Sequence, residues 1–422
     1  MTQTAEPRSG GPAGAGSPAD GASPTPAGHP TVPAGHPTVP AGAPAVPAVP
    51  AVPRPTPVPH VGDSGVPDRP RGRPASGAGG RPGGRAGGRL PSPVLLVGAV
   101  ALLLVSVVLA ITVGPAQISP LEVWRSVAAH AGLGTTPLSE LRDAIVFDLR
   151  LPRVLTAGAV GAGLALSGAV MQSLTRNPLA DPYLLGLSSG ASLGAVAVLV
   201  LGVGVALPAA AFLGATAALV ATLTLAGSLG ALTPTRTVLA GLAVAQLCAA
   251  ATSFVIFWSS TGDSYREILS WLMGSLGGAT WGSVLIAAGA LLVVGTALAS
   301  AGGTLDAFAF GDTSAAALGI DVRRTRWLLL TAVALLTGGM VAVSGSIGFI
   351  GLVLPHATRL LVGARHRVLL PLSALVGATF LIWADTAARS VFAPRELPVG
   401  VLTAFIGAPV FAWILRRRRA AA

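Results

Sequence analysis

From Asp148 to Gly158 the chain reads DLRLPRVLTAG, and from Val154 to Leu174 it runs on as VLTAGAVGAGLALSGAVMQSL without a single charged residue. That run exceeds the roughly 17 residues a helix needs to cross the hydrocarbon core of a bilayer. Gly161, Gly163, Ser167 and Gly168 give it a small-residue face on which a neighbouring helix can approach closely. Arg150 and Arg153 stand three apart at its mouth, with Pro152 between them. Two permanent charges at the edge of a membrane span need a reason.

The composition repeats the message of this stretch. Hydrophobic types make up 52% of the 422 residues and charged types only 10%, far below the quarter usual in soluble domains. Working outward, the apolar runs place ten spans: Val94 to Gly114, a second from between Ala144 and Arg153 to about Leu174, Leu184 to Val205, Leu207 to Leu229, Val238 to Trp258, Gly282 to Ala301, Trp327 to Val343, a glycine-broken Ile347 to Val362, Val368 to Ala388, and Val399 to Leu415. The expected fold class is an all-α polytopic membrane protein of ten transmembrane helices, over residues 93–419. An amphipathic piece, Leu121 to Ala129, is expected between the first two spans.

Residues 1–92 are a different material. Pro, Gly and Ala dominate, AGHPTVP occurs twice in tandem from Ala27 to Pro40, and AVP repeats up to Pro53. Aromatics are absent, so the segment cannot bury enough surface to offset the entropy of ordering it. A disordered, partly polyproline-II tail is expected. It lacks an early apolar core and so does not read as a secretory signal. His29 and His36, alone on such a chain, do not make a metal site.

Ten spans put both termini on one side. With the N-terminus inside, twelve arginines fall in the cytoplasmic connections and seven outside, in the sense of the positive-inside rule. A cell-membrane protein with both termini cytoplasmic is the expectation. The seven outer arginines, Arg150 and Arg153 among them, run against the rule and demand another role.

All 27 basic residues are arginine. A phosphate-binding P-loop ends in a lysine that reaches the nucleotide phosphates, so any ATP that drives this chain must be bound by another subunit. The net charge of +11 follows from loop arginines beside spans, and no nucleic-acid partner is expected. Membrane lipid is. The lone Cys248 offers neither disulfide nor cluster. No cofactor and no metal site is expected.

Two loops carry more specific signals. After the second span, Asn177-Pro178 and Asp181-Pro182 should end the helix in a cytoplasmic turn, and Ser188 or Ser189 is a candidate cap for the next one. In LDAFAFGDTSAAALGIDVRRTR, Leu305 to Arg326, Asp312 can cap a short helix stopped at Gly319, and Asp321 a second short piece carrying Arg323, Arg324 and Arg326. Two small helices in a corner would form a knob suited to docking into another protein.

Together these stretches resemble the permease subunits of ATP-binding-cassette importers for iron–siderophore complexes, haem and cobalamin. The resemblance is carried by RLPR at Arg150 to Arg153, SGAVMQSLTRNPLADPYLLGLSSGA, the spacing from Phe310 onward, SGSIGFIGLVLPHATRLLVG from Ser344, HRVLLPLSALVGATFLIWADTAAR from His366, and ELPVGVLTAFIGAPVF from Glu396. It covers about Pro93 to Leu415 and implies the same ten-helix fold.

What the resemblance implies is a transport subunit rather than an enzyme. ATP would be hydrolysed by separate ATPase subunits. An extracytoplasmic substrate-binding protein or lipoprotein would deliver the cargo, with an iron–siderophore complex favoured and cobalamin or haem as alternatives. A second copy or a paralogous permease would complete the channel. By position, Arg150, Arg153 and Arg389 would face outward and meet acidic residues of the binding protein, their guanidinium forks suited to carboxylates. Gly311, Asp312, Ala317, Leu318, Gly319, Asp321, Arg323, Arg324 and Arg326 would form the segment that receives the ATPase stroke, although Ala315, Ala316 and Ala317 stand where relatives often carry polar residues. Pro234, Thr235 and Arg236 fall where relatives close the channel on the cytoplasmic side.

An ion-coupled secondary transporter is the rival class, and it would call for several intramembrane acids. Asp385, near the outer end of the ninth span, is the single candidate, with Arg389 one turn on as its expected partner. His356 in LPHATR lacks a triad-like context and reads as structural.

Overall fold

The computed structural model describes residues 92–134, 138–202, 204–230, 232–259, 262–391 and 395–419. The expected tail lies outside the described residues, apart from Ser92, which opens the first helix. No strand occurs among the described residues.

Among the described residues fourteen helices follow in order, besides a single 3-10 turn at Pro182–Leu185: α1 (Ser92–Thr112), α2 (Pro120–His130), α3 (Glu140–Leu174), α4 (Leu187–Leu201), α5 (Leu207–Ser228), α6 (Pro234–Ser259), α7 (Gly262–Leu272), α8 (Trp281–Ser300), α9 (Gly302–Ala309), α10 (Asp312–Ala317), α11 (Val322–Ser344), α12 (Ile350–Val362), α13 (His366–Ser390) and α14 (Val399–Arg419). Seven of them, α1, α3, α5, α6, α8, α11 and α13, are long and apolar enough to cross a membrane. The other three expected spans are α4, α12 and the Val399–Ile414 part of α14, which are apolar but shorter. At 1.5 Å per residue, the 13 residues of α12 reach only about 20 Å. It starts late because Gly345 and Phe349, both at positive φ, hold the chain out of helical geometry before Ile350.

The second span, α3, is the central post. It contains a wide turn at Ala144–Arg150 and is otherwise α-helical from Leu151 to Leu174. Nearly every residue of that α-helical part is buried, so it needs contacts on all sides rather than a single apolar stripe. Glycine supplies them. A Cβ at Gly161 would stand 2.2 Å from the Gly377 carbonyl oxygen on α13, and one at Gly168 would stand 1.9 Å from the Gly351 oxygen on α12. The same device joins α4 to α5, where Gly190 and Gly214 each block a side chain on the other. At these crossings backbone lies directly on backbone, which only the missing side chain permits.

The outer helices look different. On α6, Leu239, Leu242, Leu247, Phe254 and Phe257 are exposed, as are Phe405 and Trp413 on α14. Large apolar side chains on the outside of the bundle suit a lipid or protein surround rather than water.

Between α1 and α3, the expected amphipathic piece is α2. Ser119 and Glu122 close a reciprocal capping box, with Pro120 at the first helical position. Val123, Ser126 and Ala128 face inward, and Leu121 and Trp124 face out. At the start of α4 the expected serine cap is not found. Gly186, at φ +78, takes the cap position, and the Ser188 hydroxyl instead lies 2.7 Å from that of Ser346. A glycine can adopt the left-handed turn there without strain, which leaves the serine free to bridge.

Candidate functional site: two charged ends of one bundle

The charged residues gather at opposite ends of α3 and α13. Arg153 stands near the start of the regular α-helical part of α3, Leu151–Leu174, and Ser173 near its finish, so the two clusters lie roughly 30 Å apart along the helix.

At the first end, the two arginines of RLPR do not act as a pair on one face. Arg150, 7% exposed, closes the wide turn of α3 and points back at the end of α1. It donates to the carbonyl oxygens of Ile111 at 2.8 Å, Ala116 at 2.9 Å and Thr112 at 3.4 Å. Arg389 also reaches α1, donating to the Ala110 oxygen. The last carbonyls of a helix lack partners within it and carry the negative end of its dipole. Two guanidinium groups satisfy them here, and a charge at the mouth of a span gains a structural reason.

Arg153 turns the other way. Its Nε and Nη2 hold the two Asp385 carboxylate oxygens at 2.8 and 3.0 Å, and its Nη1 donates to Glu396 at 2.8 Å. Arg389, the expected partner of Asp385, does pair with it, its Nε 3.9 Å from the carboxylate, but the close place at that carboxylate is Arg153's. Arg153 takes that place because α3 and α13 touch through glycine at Gly161 and Gly377, which brings their flanks within reach. Asp385 is 2% exposed, while Glu396, on the link between α13 and α14, is 53% exposed. The sequence reading missed Glu396, although the ELP motif begins with it.

The other end is built on the connection from α8 to α11. Its two small helices are α9 and α10; α10 is the first of the expected pair, Thr313 to Leu318, and the second expected piece does not form. Asp312 opens α10 without capping it; Gly311, at φ +103, is the cap residue. Gly319, at φ +79, ends the turn after α10 as expected, with its N–H bonded to the Ala316 oxygen. Asp321 does cap the next helix, accepting from the Arg324 N–H at 2.9 Å, but that helix is the long span α11. No proline or glycine stands between Asp321 and Thr337 to stop the helix after the arginines, so no separate piece forms.

The arginine trio is divided. Arg323 and Arg324 are exposed and Arg326 is buried. Arg326 donates to the Asp312 carboxylate at 2.7 Å and to the Leu232 carbonyl oxygen at 2.9 Å, and lies over the Phe308 ring at 5.5 Å. One guanidinium thus joins α10, α9 and the turn between α5 and α6. Pro234, Thr235 and Arg236 follow that turn as the first residues of α6, where the Thr233 hydroxyl accepts from the Arg236 N–H as a cap. The sequence reading placed these residues in two separate groups, and the structure links the groups through the Leu232 carbonyl, two residues before Pro234, which Arg326 holds.

The α9 helix is fastened to the bundle twice more. Asp306 accepts from the His366 backbone N–H at 3.0 Å and lies 2.7 Å from its Nδ1, and the Ser173 hydroxyl donates to the Leu305 oxygen. Asp306 was another residue the motifs did not flag. Outward, the segment presents Phe310 (82% exposed), Leu318 (71%), Ala316 and Ala317. The turn after α3 ends in Arg176 at φ 49; Asn177 accepts from the Leu179 N–H beside Pro178, and Asp181 accepts from Tyr183 beside the buried Pro182. Among the described residues no group of His, Cys, Asp or Glu is placed to hold a metal ion.

Residues 102–417 match the model of the FecCD transport family. A Bacillus subtilis ABC transporter permease, YvrB, is 42% identical over 325 residues, which is 75% of this chain and 91% of the relative. The vitamin B12 import system permease BtuC of Vibrio cholerae is 42% identical over 330 residues, 77% of this chain and 94% of that protein. The hemin transport permease HmuU of Yersinia pestis is 40% identical over 343 residues, 78% and 97% of the two chains. A solved structure described as an inward-facing metal-chelate type ABC transporter superposes with a TM-score of 0.68 at 33% identity, over 77% of this chain and 99% of its own.

Proposed function

This chain belongs to the FecCD transport family and is a permease of the ABC-importer type; from that premise we propose that it forms half of a channel for a bulky metal chelate. The cargo class is drawn from the relatives, two of which are named for vitamin B12 and hemin, and from the resemblance to iron–siderophore permeases. All three are large complexes that must cross chemically unchanged, which suits a pathway of small and apolar side chains.

The observation that carries this reading is the segment from α9 to the start of α11. It is bound firmly to the bundle through Asp306, Leu305 and Arg326, yet shows Phe310, Leu318, Arg323 and Arg324 outward. A surface that is rigidly backed and carries exposed apolar and cationic side chains is what a separate motor protein would need to push on. The segment lies at the cytoplasmic end by the arginine bias. ATP would be bound and hydrolysed there by two partner subunits.

The opposite end then faces outward, and a substrate-binding protein docks on it. The side chains it would meet are Glu396 and the Arg153 edge beside it, with Arg150 and Arg389 holding that surface in place from below. The second half of the channel is another copy or a paralogue. The exposed faces of α6 and α14 are apolar enough to serve as that contact.

Reconstitution in liposomes tests the assignment. ATP-dependent uptake of labelled cobalamin, hemin or a ferric siderophore should require an ATPase subunit and a binding protein. Uptake by the chain alone, driven by an ion gradient, would overturn it in favour of a secondary transporter.

A further inference from the structure

The turn between α5 and α6 and the α9–α10 segment face each other across open space. A cavity of about 560 Å³ lies between them, bordered by Gly230, Thr233, Asp312 and Arg323. Arg326 crosses this gap. Its Nη1 holds the Leu232 carbonyl oxygen on one wall and its Nη2 holds the Asp312 carboxylate on the other. The side chain is buried, and its charge-assisted bonds run in two fixed directions set by the planar guanidinium. The next residue, Trp327, packs against a small apolar cluster of Ala226 on α5, Leu232 on the turn and Ala240 on α6.

We propose that Arg326 is the positioning residue that carries a displacement of the α9–α10 segment into the α5/α6 turn, so that the two move as one body. This rests on the transporter reading above and adds to it the route between the motor face and Pro234, Thr235 and Arg236. A flexible apolar contact across a cavity would let the segment move while the turn lagged. A fork bonded on both sides does not. Asp312 acts as the distal anchor, and Leu232 contributes its backbone alone, so the turn is gripped without regard to its side chains.

The test uses the assembled transporter, with its ATPase subunits and binding protein, in proteoliposomes. Spin labels at Thr235 and Ser314 report the distance between the two walls. That distance should be the same in the nucleotide-free and ATP-bound states, and should become state-dependent in Arg326→Lys, because a compact ammonium lacks the rigid fork whose two nitrogens each reach one wall. Cargo moved per ATP hydrolysed, read with labelled cobalamin, hemin and a ferric siderophore in parallel, should fall by about tenfold in Arg326→Lys and in Asp312→Asn. Asp312 is half-exposed, so its variant reports even if Arg326→Lys fails to assemble. A Thr235–Ser314 distance that changes with nucleotide in the unmodified protein overturns the tether, as does an unchanged ratio in both variants. Absence of ATP-dependent uptake in the unmodified protein would instead overturn the transporter assignment itself.

Discussion

Arg153 and Asp385, 232 positions apart in the chain, meet as a two-pronged ion pair with both carboxylate oxygens held at 3.0 Å or less. The pair seals α3 against α13 at the end where α1 also finishes. Because Asp385 is buried, removing its closer partner leaves a charge that water cannot reach and that only the 3.9 Å contact to Arg389 offsets. Arg153→Met should lower stability by roughly 3 kcal/mol, and adding Asp385→Leu should restore much of it, since a matched apolar pair avoids desolvating two ions. Thermal unfolding of the detergent-solubilised protein measures both.

Glu396 is the exposed member of that cluster and bonds Arg153 through one arm of the fork. Glu396→Gln should change stability by less than about 1 kcal/mol, as expected for a solvent-exposed ion pair. It should also free the Arg153 Nη1 for an acidic partner. A titration of the substrate-binding protein on immobilised permease should then show tighter binding, and weaker binding would exclude Glu396 as a competitor for that arm.

The glycine crossings predict a sharp contrast. Gly168→Ala would place a methyl group 1.9 Å from the Gly351 oxygen, an overlap that forces α3 and α12 apart at a cost of roughly 3 kcal/mol or more. Gly289→Ala, with nothing near its Cβ position, should be neutral or slightly stabilising, because it removes backbone freedom from a helix. Unfolding midpoints of the two variants, compared side by side, check this.

In α2, Glu122 has its pKa held below the usual carboxylate value by the Ser119 backbone N–H and hydroxyl, and then by Arg142. A depressed carboxylate contributes stability at pH values above its ordinary pKa and loses that contribution as the pH falls through the depressed value. The gap in thermal midpoint between the native protein and Glu122→Gln should therefore be full at pH 7 and close below about pH 4. A gap that stays constant across that range would show that the charge is not what the capping box uses.

Much of this architecture was legible in the sequence. Apolar runs placed all ten expected spans on helices, because lipid-facing and helix-facing positions alike demand apolar residues and leave no ambiguity of period. The Asp321 cap and the Gly319 stop were readable for a local reason: each acts within four residues of itself. What was not legible lies at longer range. Arg150 and Arg153 look alike three residues apart, yet one serves the end of α1 and the other serves α13. The wide turn at Ala144–Arg150 and the approach of two distant helices decide that, and neither leaves a mark on the RLPR string. Arg323, Arg324 and Arg326 were likewise indistinguishable until the α5/α6 turn was seen to lie beside one of them. Asp306 and Glu396 escaped because an acid in a loop is ordinary until its partner is known.

The backbone-on-backbone crossings of α3 have one more consequence. Side chains elsewhere in a protein can hop between rotamers and let neighbouring elements slip by small amounts, each hop absorbing part of the strain. Where Gly161 meets Gly377 and Gly168 meets Gly351 there is no rotamer to hop. The middle of the subunit can tilt or travel whole, like a keel, and any change of shape that opens a path must be taken up by the helices hung around it.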